Sequence, residues 1–177
     1  MKLPARVLLL AAVSGCTPSQ PPRWSEGGAP LLLPEARWQR DSDDAIEVHA
    51  NGHVIEDGDL IFIIDRVGRI TDEDAEPVAL LFPDGRLAGT DDRNMGHVGV
   101  SNAAPPSRVE AWLAVTPDGA VTYFDTDGER SAGGRWTGCT GPAQRTCTLV
   151  THLVAMRHFA DDRNSGVSVG VGIGIGF

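Results

Sequence analysis

Lysine is missing after residue 2 of this 177-residue chain. Tyrosine occurs once, cysteine three times, and only 6% of the residues are aromatic. Past residue 15 the positive charge rests on 13 arginines, against 24 Asp and Glu, which is a formal −11. An acidic body without clustered cations argues against nucleic acid as a partner. It argues equally against electrostatic adhesion to anionic lipid. The cysteines form no CxxC pair, so a zinc centre is poorly supported. A long helical period is also lacking before Thr148, which turns attention to strands.

What is present first is an address. Lys2 and Arg6 precede an apolar run from Val7 to Val13, and Val13-Ser14-Gly15-Cys16 closes it on a cysteine after small residues. This resembles the lipobox of bacterial lipoproteins. The resemblance implies that residues 1–15 are a signal peptide, that the Cys16 thiol carries a diacylglycerol, and that the mature chain begins there. Two or three acyl chains anchor stably where one holds marginally, at about 0.8 kcal/mol per buried CH₂. Thr17 stands where family members retained at the inner membrane usually carry Asp, so the implied destination is the outer membrane.

With Cys16 acylated, Cys139 and Cys147 remain as an even pair in an oxidising compartment and are expected to form a disulfide. From Cys16 to Asp44 the chain mixes Pro, Gly, Ser and charge without apolar period and reads as a tether, with Leu31-Leu32-Leu33 and Trp38 able to pack on the body. Residues 45–159 are long enough for one core, and residues 160–177 follow as an acidic turn and a final strand.

The body is punctuated by Asn51-Gly52, Asp57-Gly58, Asp84-Gly85, Asp118-Gly119 and Asp127-Gly128. Such dipeptides mark two-residue hairpin turns, since both central residues of a type I′ turn need positive φ. On that register Ala50 pairs with His53, Val48 with Ile55, Ile55 with Leu60, and Val54 with Ile61. Leu60 to Ile64 is apolar on both faces, so it should be covered on both sides. The expected fold is all-β, an antiparallel meander forming a sandwich or small barrel. Residues 148–159 carry helix and strand signals together and are read as a strand.

No constellation specifies chemistry. His49 and His53 form an HxxxH, but the intervening Asn-Gly turn sends the rings to opposite sides. His152 and His158, on a strand, would lie about 20 Å apart. Ser101 lacks the following glycine and the helix of a nucleophile elbow. The acidic runs at Asp57-Gly58-Asp59, Asp72-Glu73-Asp74, Asp91-Asp92 and Asp125 to Glu129 lack calcium-loop spacing and allow at most weak Ca²⁺ binding. Trp112, Tyr123, Phe124 and Trp136 read as core, with Ala114 facing Tyr123 and Leu113 facing Phe124. Cofactors and catalytic residues are therefore not expected, and the site residues are Cys16 for lipidation with Cys139 and Cys147 for the cross-link.

From Gly166 to Phe177 the sequence GVSVGVGIGIGF alternates β-branched residues with Ser168 and glycines. Period two makes this a strand, and left unpaired it would invite aggregation. It is expected to close the domain's own sheet. It also resembles the C-terminal strands of outer-membrane β-barrel proteins, which alternate in this way and end in Phe, and this implies an envelope protein partner. The function expected is a lipid-anchored binding or interaction domain, with an accessory subunit of an outer-membrane assembly as the alternative and an extracytoplasmic enzyme behind both.

Overall fold

The computed structural model describes residues 19–40, 45–106 and 108–165, with side chains given up to His158 in the last helix. The described residues form twelve short strands. They are β1 (Ala36–Gln39), β2 (Ala45–Val48), β3 (His53–Glu56), β4 (Asp59–Ile64), β5 (Arg69–Thr71), β6 (Pro77–Leu81), β7 (Arg86–Gly89), β8 (Asn94–Val98), β9 (Asn102–Ala104), β10 (Leu113–Val115), β11 (Ala120–Phe124) and β12 (Arg130–Thr137). Each pairs antiparallel with its sequence neighbour, and β1 pairs with β12, so the meander closes into a barrel. Closure removes most of the exposed edge that an open meander would present. One helix, α1 (Gln144–Ser165), follows β12.

The turns explain the register. Gly52, Gly68, Gly85 and Gly119 each donate an N–H to the carbonyl three residues back, on His49, Asp65, Phe82 and Thr116, at 2.8 to 3.2 Å. Each has a φ between 77° and 100°. These are type I turns closed by a left-handed glycine, one residue longer than a type I′ turn. The pairs that follow are therefore Val48↔Val54 and Leu113↔Tyr123, one step from the expected Val48 with Ile55 and Leu113 with Phe124. Asp57-Gly58 is a two-residue turn with both φ positive, and there Ile55↔Leu60 holds as expected. A bulge after Ile55 then makes Val54 face Phe62 instead of Ile61.

Residues 148–159 lie in α1 and are not a strand. From Gln144 to Ala155 every side chain except that of Arg145 is buried, and its partners lie on several sides: the Leu32 carbonyl, the Val100 carbonyl, Trp136, and the Met95 carbonyl. The helix runs inside the barrel. A helix without a solvent face needs no polar stripe, which is why no amphipathic period marks it. Its threonines are satisfied in place: Thr148 Oγ1 donates to the Gln144 carbonyl at 3.0 Å and Thr151 Oγ1 to the Cys147 carbonyl at 2.7 Å. Around it Trp38 and Trp136 stack at 5.6 Å, within one cluster that includes Ile46, Leu81, Leu113 and Leu153.

Two boundaries also move. Much of the segment read as a tether belongs to the folded body: β1 lies within it, Arg37 faces Glu47 on β2, and Gly28 N–H and Ala29 N–H bond the carbonyls of Val67 and Leu81. Trp24 covers a second apolar cluster of Leu80, Phe82 and Ala88, and Arg69 Nε donates to its carbonyl at 2.7 Å. Apolar residues spaced too irregularly to show a period still suffice to strap this segment down. The acidic turn expected after residue 159 is helical as far as Ser165. The strand expected at 166–177 lies outside the described residues; among the described residues β1 and β12 close the ring.

Candidate functional site

Because α1 runs along the barrel, the two rims differ. The helix enters beside the Leu32, Val100 and Val115 carbonyls, which accept from Thr146, Thr148 and Gln144. This entry rim carries the four glycine turns. The helix leaves at the opposite rim, where His158 Nε2 lies 3.0 Å from Glu56 Oε1 and 2.9 Å from Arg40 Nη1, while Arg40 Nη2 lies 2.9 Å from the same carboxylate oxygen. Arg40 and Glu56 side chains are each only 13% exposed. The hydrogen bond from His158 holds the Glu56 carboxyl below its usual range, with Arg40 adding to the effect and partial burial opposing it. Arg40 also stands over the Trp38 ring at 5.9 Å. Burial pushes the Tyr123 hydroxyl up, and the Arg40 charge opposes that shift.

The exit rim also collects the acidic runs. Asp57, Asp72 to Asp74, Asp91-Asp92 and Asp125 to Glu129 all fall in its turns. Their first duty is to the backbone. Asp72 Oδ1 accepts from Asp74 N–H and Glu76 N–H, and Asp125 Oδ1 from Asp127 N–H and Glu129 N–H, at 2.8 to 3.1 Å. Among the described residues, no three His, Cys, Asp or Glu side chains gather as a metal site.

His152 is a separate case, inside the barrel. Its Nδ1 accepts from Trp112 Nε1 at 3.0 Å and its Nε2 reaches the Met95 carbonyl at 2.8 Å, so the ring is the neutral Nε2–H tautomer with both nitrogens used. Burial pushes its pKa down to about 4. A proton on Nδ1 would set two donors against each other. This is a core histidine.

The other expected sites separate cleanly. Cys139 and Cys147 are disulfide-bonded, with Cα atoms 6.1 Å apart, joining the turn after β12 to the first turns of α1. Cys16 lies outside the described residues. His49 sits at the entry rim by Glu35 and Glu47, at 3.3 and 3.6 Å, whereas His53 begins β3. Ser101 is an exposed turn residue, and the neighbouring His97 Nε2 lies 2.7 Å from the Asp84 carbonyl. Trp112 and Trp136 are buried as expected, and Tyr123 is half-buried against the core.

The feature missed from sequence is a groove. It is an open depression of about 590 Å³ on the barrel wall, lined by Gln39, Arg40, Thr122, Arg130 and Arg135 among others. Three arginines on so acidic a chain stand out, though Arg135 is paired with Asp118 at 2.7 Å and Arg130 lies over the Phe124 ring. Among the described residues no helix is long and apolar enough to cross a membrane. No protein-family model, curated protein or solved structure matches this chain.

Proposed function

We propose that the protein is an outer-membrane lipoprotein, held by an acylated Cys16, whose barrel acts as a binding or interaction module and not as an enzyme. What supports a surface role is the filled interior. Helix α1 occupies the space in which a barrel of this size would hold a ligand. The polar side chains inside, Thr148, Thr151 and His152, are bonded to the protein's own atoms. Recognition then falls to the rims and outer wall. One contact supports a direction for the anchor. Ser19 Oγ donates to Asp91 Oδ1 at 2.5 Å, at the exit rim, and Cys16 is three residues earlier. At about 3.3 Å per residue that leash is near 10 Å, so anchoring sets the acidic rim close to the bilayer and turns the entry rim outward.

Growth with labelled palmitate, followed by envelope fractionation, tests the reading. Label on the wild type, none on Cys16→Ser, and Cys16→Ser left as an unprocessed precursor are the expected results. An unlabelled wild-type chain would overturn it.

A further inference from the structure

Among the described residues four large apolar side chains stand exposed, and three of them belong to the entry side. Val67 and Val100 sit in entry-rim turns, and Leu32 lies beside the mouth where α1 enters. The fourth is Val109, in the exit-rim loop between β9 and β10, and it is 94% exposed. This loop is held in place around it. Asn94 Nδ2, at the start of β8, donates to the Pro106 carbonyl at 3.2 Å, and Arg108 Nη2 donates to the Asp125 carbonyl, in the turn after β11, at 3.2 Å. Trp112 closes the loop from the other end: it is buried, its N–H bonds the Ala103 carbonyl at 2.9 Å, and its ring nitrogen donates to His152. A lone exposed valine is ordinary on a protein surface. Its position gives this one a meaning. Asn94, which holds Pro106, is three residues past Asp91, the residue on which Ser19 rests, so the chain from Cys16 arrives beside the Val109 loop.

We propose that the Val109 loop is a second membrane contact, in which Val109 enters the headgroup layer of a zwitterionic bilayer and fixes the tilt of the barrel on its anchor. The inference rests on the acylation of Cys16. The leash from Cys16 to Ser19 is about 10 Å when extended, and Val109 is only three residues beyond Pro106, so loop and anchor reach the same stretch of surface. Burying one valine is too weak to recruit a protein from solution. It need not do so here, because the acyl chains already hold the domain at the bilayer, and at that effective concentration a weak contact decides orientation. The charge around the loop selects the lipid. Glu110 is exposed beside Val109, and Asp91-Asp92 and Asp125 to Glu129 occupy the turns to which the loop is tied. Those carboxylates are repelled by anionic headgroups and tolerate zwitterionic ones, whose ammonium groups they can meet.

Site-directed fluorescence on the acylated protein tests this. With Cys16 acylated and Cys139 bonded to Cys147 in the interior, Glu110→Cys supplies a single free thiol for a fluorophore and leaves Val109 in place. Val100→Cys, labelled in the same way at the entry rim, controls for the fluorophore's own affinity for lipid. Both proteins are reconstituted in vesicles of phosphatidylcholine and phosphatidylethanolamine that carry a nitroxide lipid. Quenching at position 110 should exceed that at position 100 by about twofold or more, as expected of a residue lying at the headgroup level. Adding Val109→Asp should bring it down to the level at position 100. Equal quenching at the two positions, in protein that floats with the vesicles, overturns the inference and leaves the anchor standing, as does quenching at 110 that Val109→Asp does not change. Protein that fails to float overturns the anchor and this contact with it. Replacing part of the lipid by phosphatidylglycerol at low salt should weaken the quenching at 110, and a rise there would overturn the choice of a zwitterionic surface.

Discussion

The two rims are made by the same chain and obey different rules. At the entry rim four turns of one type repeat, and their glycines are pressed against neighbouring atoms, backbone at Gly52, Gly68 and Gly119 and the His97 ring at Gly85. A Cβ on Gly52 would lie 1.9 Å from the Ile64 carbonyl oxygen, and one on Gly119 2.1 Å from that of Trp136. At the exit rim the loops vary in length, the acidic runs gather, and the turn glycines Gly58 and Gly128 have nothing within 4 Å of the same position. Tight, uniform turns leave little freedom for anything but closing the barrel. The open rim, where α1 leaves, where Ser19 arrives and where Arg40, Glu56 and His158 meet, is the part of the fold able to vary without disturbing the core.

The comparison breaks most sharply at glycine. Gly119→Ala combines a positive φ with a collision against backbone, and should cost about 3 kcal/mol or more in denaturant unfolding. Gly128→Ala meets only the φ penalty, about 1 kcal/mol. Equal losses at the two sites would mean that the rims do not differ in the way their geometry implies.

Next in size is the pH response of the core between them. The His152 pKa is about 4 in the folded protein against 6.5 for the free side chain. The unfolded chain binds the extra proton between those values, so its neutral burial costs nothing above pH 6.5 and stability falls as pH drops toward 4. The total is about 3 kcal/mol at 1.36 kcal/mol per pH unit. Unfolding midpoints recorded from pH 7 to pH 4 should show this decline, and His152→Gln, already less stable at pH 7, should lack its slope through that window. Reducing Cys139–Cys147 comes slightly lower. The bridge spans eight positions, and opening it should lower stability by about 2.5 kcal/mol on the chain-entropy account, read as a drop in melting temperature under reductant.

The same contrast decides what was legible in the sequence. An all-β meander was readable because Asn-Gly and Asp-Gly dipeptides punctuate it, and Leu60 to Ile64, apolar on both faces, pointed to a covered sheet. The register slipped by one at Asn51-Gly52 and Asp118-Gly119 because a dipeptide does not say whether its glycine closes a two-residue or a three-residue turn. Helix α1 was hidden by its own burial: Thr148, Val150, Thr151 and Val154 favour strands, and only enclosure on all sides makes them acceptable in a helix. The disulfide followed from counting. The Arg40, Glu56 and His158 cluster could not be seen, since residues 16, 102 and 118 positions apart in the chain meet only when α1 runs the length of the barrel.

That cluster supplies the smallest effect and the finest test of the comparison. Glu56 is held below the usual carboxylate range by His158 and Arg40, so its contribution is present above pH 4.5 and is lost as pH falls through the lower, folded value. Glu56→Gln should therefore cost about 1 kcal/mol at pH 7, more than an exposed pair and less than a buried one, and the cost should fade in acid. Its entry-rim counterpart is the pair of Arg135 with Asp118, whose side chains are 57% and 67% exposed. Arg135→Gln should leave the melting temperature within error, because water screens that pair on both sides. A double-mutant cycle between Arg40 and Glu56 then separates their coupling from the loss of Arg40's packing on Trp38. Coupling near zero there would place the exit-rim cluster with the exposed pair and remove the electrostatic half of the contrast between the rims.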